Sequence, residues 1–189
     1  MKHTDIREIF ADPAALEGKS VTVCGWVRTA RDSKNISFIE LNDGTAFRNL
    51  QLVLDKTKLA EDAYKDVMVV GASLTANGKL VLSERNGCEL EVEEIKLLGG
   101  CPADYPLQKK GHSLEFLRTI PHLRPRTRLF EAVLAVRDQL SQAVHQYFHS
   151  HGYRYVHAPI ITGSDCEGAG EMFRVTTRAW NEKCATEEE

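Results

Sequence analysis

Residues 20–30, SVTVCGWVRTA, alternate in a way that dictates a strand: Val21, Val23, Gly25 and Val27 fall on one face. Four more runs of strand character follow before residue 100: ISFIEL, NLQLVLD, VMVVGASLTA and CELEVEEIKLL. NDGTAFR reads as the turn between the second and third. KLAEDAYKDV, between the third and fourth, has the period of a short helix. NGK at 77–79 and RNG at 85–87 read as tight turns. Five strands with one helix between the third and fourth is the order of a small closed barrel of the OB type. Such barrels bind single-stranded nucleic acid on one face. Ahead of it, residues 5–11 read as a short helix stopped near Pro13.

The pattern changes near residue 100. GGCPADYPLQKKGH, 99–112, has a glycine pair, Pro102 and Pro106, and no periodicity, which marks a linker. In SLEFLRTIPHLRPRT, Pro121 and Pro125 prevent one continuous helix. RLFEAVLAVRDQLSQAVHQYFHSHG then predicts a long helix. Leu129, Val133, Val136, Leu140, Val144 and Tyr147 recur on one face, with Gly152 as its stop. YRYVHAPIIT reads as a strand, and Pro159 within it removes a ladder donor, placing it at an edge or an interface. The fold class expected is therefore β-rich α+β. An OB-type barrel spans 1–100, a hinge 101–125, and 126–177 begin a second domain, with a tail at 178–189.

Bulk properties remove several classes. A net charge of -3 does not describe a chain that binds nucleic acid by overall electrostatics, though a local basic surface remains open. No apolar run is long enough to span a bilayer, and MKHTDIREIF lacks the apolar core of a signal peptide. The 5 cysteines are odd in number and form no C-x-x-C pair, against a disulfide framework or a zinc site, so a cytosolic location is expected.

Several side chains carry candidate chemistry. Phe38 offers a ring for a base to stack on, Gln51 a donor and an acceptor for a base edge, and Arg31 a charge for a phosphate or a second base contact. Spacing alone leaves the other role open, Phe38 in the core and the two polar residues merely solvated. Arg118, Arg124, Arg126 and Arg128 form a basic run, either a solvated face or a nucleic-acid contact. His145 and His149 stand at i, i+4 but have no third ligand in support, so no metal site is expected. In SDCEGAGEMF, Glu167 and Glu171 sit among glycines that let backbone approach a ligand. Carboxylates there suit an α-ammonium or an amide, or are simply exposed acids on a turn.

Longer stretches decide among these. VCGWVRTARDSKNISFIELNDG, NLQLVLD, YPLQKKGHSLEFLRTIPHLRPRTRLF, GYRYVHAPIIT and EGAGEMFRVTT resemble the bacterial asparaginyl-tRNA synthetases, class II aminoacyl-tRNA synthetases. The resemblance runs from about 18 to 177. It implies an anticodon-binding barrel in which Phe38 stacks on the central anticodon base with Gln51 and Arg31 as polar readers. It makes the long helix and the following strand the first class II motif, whose main task is dimerisation, with Pro159 packing near the partner's active site. It makes Glu167 the acid for the substrate's α-ammonium and Glu171 a candidate for the side-chain amide. EGAGEMF favours asparagine over aspartate. The family reaction joins asparagine to its tRNA with ATP and magnesium. The ATP-holding second and third motifs have no counterpart in these 189 residues, so the chain alone is expected to be inactive and to bind neither cofactor well. Two other readings stay open: a free-standing tRNA- or RNA-binding module, and a partner of a full-length ligase.

Overall fold

The computed structural model describes residues 2–59, 64–163, 173 and 175–177. Five strands, β1 (Ser20–Arg31), β2 (Ile36–Asn42), β3 (Leu50–Asp55), β4 (Ser73–Ser83) and β5 (Gly87–Gly99), close into a barrel in the order β1-β2-β3-β5-β4. All pairings are antiparallel except β3 with β5, where Gln51, Leu52 and Val53 face Glu89, Leu90 and Glu91. The alternation seen in the sequence is the barrel's inside and outside. Val21, Val23 and Val27 point in, with Ile39, Leu41, Leu52, Leu54, Leu74 and Leu90 from the other strands.

Two short helices precede the barrel, α1 (Ile6–Ala11) and α2 (Pro13–Leu16). α1 ends just before Pro13, as the sequence predicts, and Pro13 also opens α2. Its fixed φ suits a first helical position, and Asp12 caps the turn by accepting from the Ala15 N–H at 3.1 Å. A six-residue helix has little stability of its own. Ile6 and Ile9 are fully buried in the barrel core, a gain of about 3–6 kcal/mol for the two. The free N–H of Ile6 donates to Asp43 Oδ2 at 2.7 Å, so a residue from the β2–β3 loop supplies the cap.

Two sequence expectations in the barrel fail. Residues 67–72 are not strand, because Ala72 N–H turns back to the Val69 carbonyl at 3.1 Å and Gly71 N–H bonds the Val27 carbonyl at 2.9 Å. NGK is not a turn either. β4 runs straight through it, and a Cβ at Gly78 would collide with the carbonyl of Glu91 on β5. The glycine is there for close backbone approach at a register shift. RNG does form the β4–β5 turn. Of the helix expected in KLAEDAYKDV, residues 60–63 lie outside the described residues, and Tyr64 and Lys65 are helical.

After β5 come α3 (Leu114–Thr119), a 3-10 turn at Arg124–Arg126 and α4 (Arg128–Ser150), interrupted where Pro121 and Pro125 predict. Leu107 and Leu117 are buried. α4 ends as Gly152 predicts, at φ 85. Gly152 N–H bonds the His149 carbonyl and Tyr153 N–H the Phe148 carbonyl, with the Tyr153 and Phe148 rings 5.5 Å apart. That is a Schellman closure with its apolar contact. YRYVHAPIIT forms no strand. A strand is defined by its ladder, and no described segment pairs with it. The chain divides into two compact units, Met1–Arg137 and Asp138–Glu189.

Candidate nucleic-acid interface

On β2, Ser37 and Ile39 are buried, so Phe38 between them turns outward and is only partly covered. It is therefore not a core ring. Register places Arg31 of β1 and Val53 of β3 on either side of it, and Glu91 of β5 beyond. The Arg31 guanidinium carbon lies 5.7 Å from the Phe38 ring centroid. The next outward row reads Thr29, Glu40, Gln51, Glu89. The three barrel residues singled out by type, Arg31, Phe38 and Gln51, are thus diagonal or direct neighbours on one open face. From the β1 side to the β5 side the surface carries a cation, then a ring, the Glu40 carboxylate and an amide in the middle, then two carboxylates.

The rim is fixed by ordinary polar chemistry. Asp32, directly after Arg31, accepts from Ser37 Oγ at 2.5 Å and pairs with Lys56 Nζ at 2.5 Å. Lys56 and then Ser37 hold its carboxyl below the usual carboxylate range. Lys56 also donates to the Ser33 carbonyl at 2.7 Å, so the β1–β2 loop is tied to the end of β3. Asn49 donates to Glu40 Oε2 at 3.1 Å, while Glu89 Oε1 accepts from Ser83 and Asn86. Both acids beside Gln51 are therefore oriented by amide or hydroxyl donors. Such a face can stack an unpaired base on Phe38 and meet its edge with Gln51.

The basic run is more engaged than a solvated face. Arg126 donates to the Tyr105 hydroxyl at 3.3 Å and lies 5.8 Å from the Trp26 ring, and Arg124 lies 4.7 Å from the Phe130 ring. Arg118 ends α3. His145 of the second unit meets Tyr155 edge to face at 4.9 Å. Among the described residues no group of His, Cys, Asp and Glu could hold a metal ion, and no helix is long and apolar enough to cross a membrane. Pro159 lies in the exposed segment after α4. Glu167 and Glu171 lie outside the described residues. Sequence reasoning missed Glu40, Glu89 and Glu91. Glu40 was within reach, two residues from Phe38 on the same face. The β5 acids needed the parallel β3–β5 register, which no local pattern announces.

Residues 21–98 match the family of OB-fold nucleic acid binding domains, and residues 113–185 that of class II tRNA synthetases (D, K and N). A barrel of this order followed by that second region defines a class II aminoacyl-tRNA synthetase. Over 181 residues, 94% of its length, the chain is 49% identical to the asparagine–tRNA ligases of Parabacteroides distasonis and Acetivibrio thermocellus. The fold is also that of the asparaginyl-tRNA synthetase from Pyrococcus horikoshii complexed with asparaginyl-adenylate, with a TM-score of 0.81, 24% identity, 93% of this chain and 41% of that one. The chain belongs to the asparagine–tRNA ligase family. It spans 38% and 39% of the length of the two ligases.

Proposed function

We propose that the barrel binds the anticodon arm of asparagine tRNA, serving the ATP-dependent attachment of asparagine to that tRNA. One observation carries this: Arg31, Phe38 and Gln51, each from a different strand, stand together on the open face of β1–β3. Phe38→Ala removes the stacking platform, roughly 1–3 kcal/mol per base, and weakens binding of the transcribed anticodon stem-loop about tenfold or more. Equal binding by wild type and variant sinks the assignment. The match to ligases across 94% of the chain favours this over a free-standing RNA-binding module.

The remaining roles follow from family membership. Residues 1–100 serve as the anticodon domain, 101–125 as a hinge and 126–177 as the start of the catalytic domain. α4 and the segment carrying Pro159 contribute to a homodimer. Glu167 holds the α-ammonium of asparagine and Glu171 meets its side-chain amide. The protein works in the cytoplasm, and ATP and magnesium are the cofactors of its reaction. These 189 residues alone form no asparaginyl-adenylate, since attracting an ammonium is not stabilising a transition state. Asparagine-dependent ATP–pyrophosphate exchange stays at background for the purified chain, with a full-length ligase as positive control. Exchange that Glu167→Ala abolishes would show that the chain carries a working site.

A further inference from the structure

One cationic side chain belongs to neither row of the barrel face. Val27 pairs with Leu41 and Thr29 with Glu40, which leaves Arg28 as the extra residue of a bulge in β1. Bulges re-aim side chains. This one sends Arg28 into a cleft of about 470 Å³ between the barrel and the segment after it. Tyr105, Lys109, Lys110, Arg126 and Arg128 also line that cleft, and its only carboxylate is Glu40, already bonded to Asn49. Five cationic side chains against one acid give a strongly positive concavity in a chain whose net charge is -3.

Arg28 is half-buried yet makes no hydrogen bond or ion pair with any described residue. Burial pushes its guanidinium below the ordinary value, Glu131 and Tyr105 act against that through space, and Arg126 and Arg128 act with it. A cation partly withdrawn from water, with Glu131 acting on it only through space and no counter-charge bonded to it, gains from an anion that neutralises it. The planar fork of arginine and the lysines opposite suit the tetrahedral oxygens of phosphate.

We propose that this cleft is a phosphate site, separate from the Phe38 face, that takes backbone phosphates of the bound RNA lying outside the anticodon stem-loop. The inference rests on the tRNA reading above but not on its base-reading residues. The test uses the full chain, full-length asparagine tRNA, the isolated anticodon stem-loop, and tripolyphosphate as a free-anion probe. Arg28→Gln is expected to weaken full-length tRNA roughly tenfold, to lower the slope of log affinity against log salt by about 0.9, and to leave the stem-loop unchanged. Arg128→Gln, on the opposite wall, repeats the pattern and guards against misfolding of the strand variant. Equal loss on tRNA and stem-loop, or no loss on either, overturns the site. Tripolyphosphate binding that needs Arg28, with tRNA indifferent to it, assigns the cleft to a free anion and overturns the RNA assignment. Failure of the stem-loop to bind at all rejects the anticodon reading. An Arg28-dependent loss on full-length tRNA would still support the cleft, and its absence would reject both.

Discussion

At Asp32 a single carboxylate joins three pieces of backbone: β1, which it follows, β2 through Ser37, and the end of β3 through Lys56. Its folded pKa lies below the ordinary value, with the Lys56 and Ser37 hydrogen bonds as the main causes. The tie therefore stabilises the fold above the unfolded carboxylate pKa and is lost as pH falls through the depressed folded one. In urea titrations between about pH 6 and pH 3, Asp32→Asn should lose less stability than wild type. Asp55 and Glu115 are depressed as well, so the difference between the two proteins is the readout, not the whole acid limb. Parallel curves would mean that the tie contributes nothing. The same loop shows what residue type alone reveals. Arg31, Phe38 and Gln51 could be named because a cation, a ring and an amide each suggest a role. Arg28 is also an arginine, but its role depends on a one-residue bulge whose existence follows from strand pairing, not from the neighbouring letters.

Among elements, β4 separates what local pattern can and cannot tell. NGK and RNG look equally like turns, and only RNG is one. The difference is tertiary: β4 must pair along its length with both β1 and β5, and at Gly78 the β5 backbone comes too close for any side chain. Gly78→Ala should thus cost about 1–3 kcal/mol or more as overpacking, read as a drop in the denaturation midpoint. A change no larger than that of an alanine on an exposed turn would contradict the through-running strand. Helix ends were more legible, because a Schellman closure or a proline stop acts within a few residues. Strand existence was less so. VMVV and YRYVHAPIIT have strand composition, yet one folds into turns and the other meets no described ladder partner.

For the molecule as a whole, the apolar stripe of α4 is as regular as the sequence predicts and remains uncovered. Val136, Leu140, Val144 and Tyr147 are 58%, 61%, 56% and 59% exposed. Contiguous apolar surface of that kind drives association. A chain cut after about residue 108 should be a soluble monomer in light scattering, and the full chain should associate as concentration rises. A full chain that stays monomeric across the concentration series would refute this. Barrel closure bears on synthesis too. β5 is the last of the barrel strands to leave the ribosome, and it alone supplies the parallel neighbour of β3. At ordinary translation rates the first hundred residues take about 5–20 s to make. For much of that time LQLVLD is an apolar strand with one edge open, the kind that pairs with another nascent chain. A holdase acting on nascent chains would meet its most vulnerable client in the interval just before Gly99 emerges.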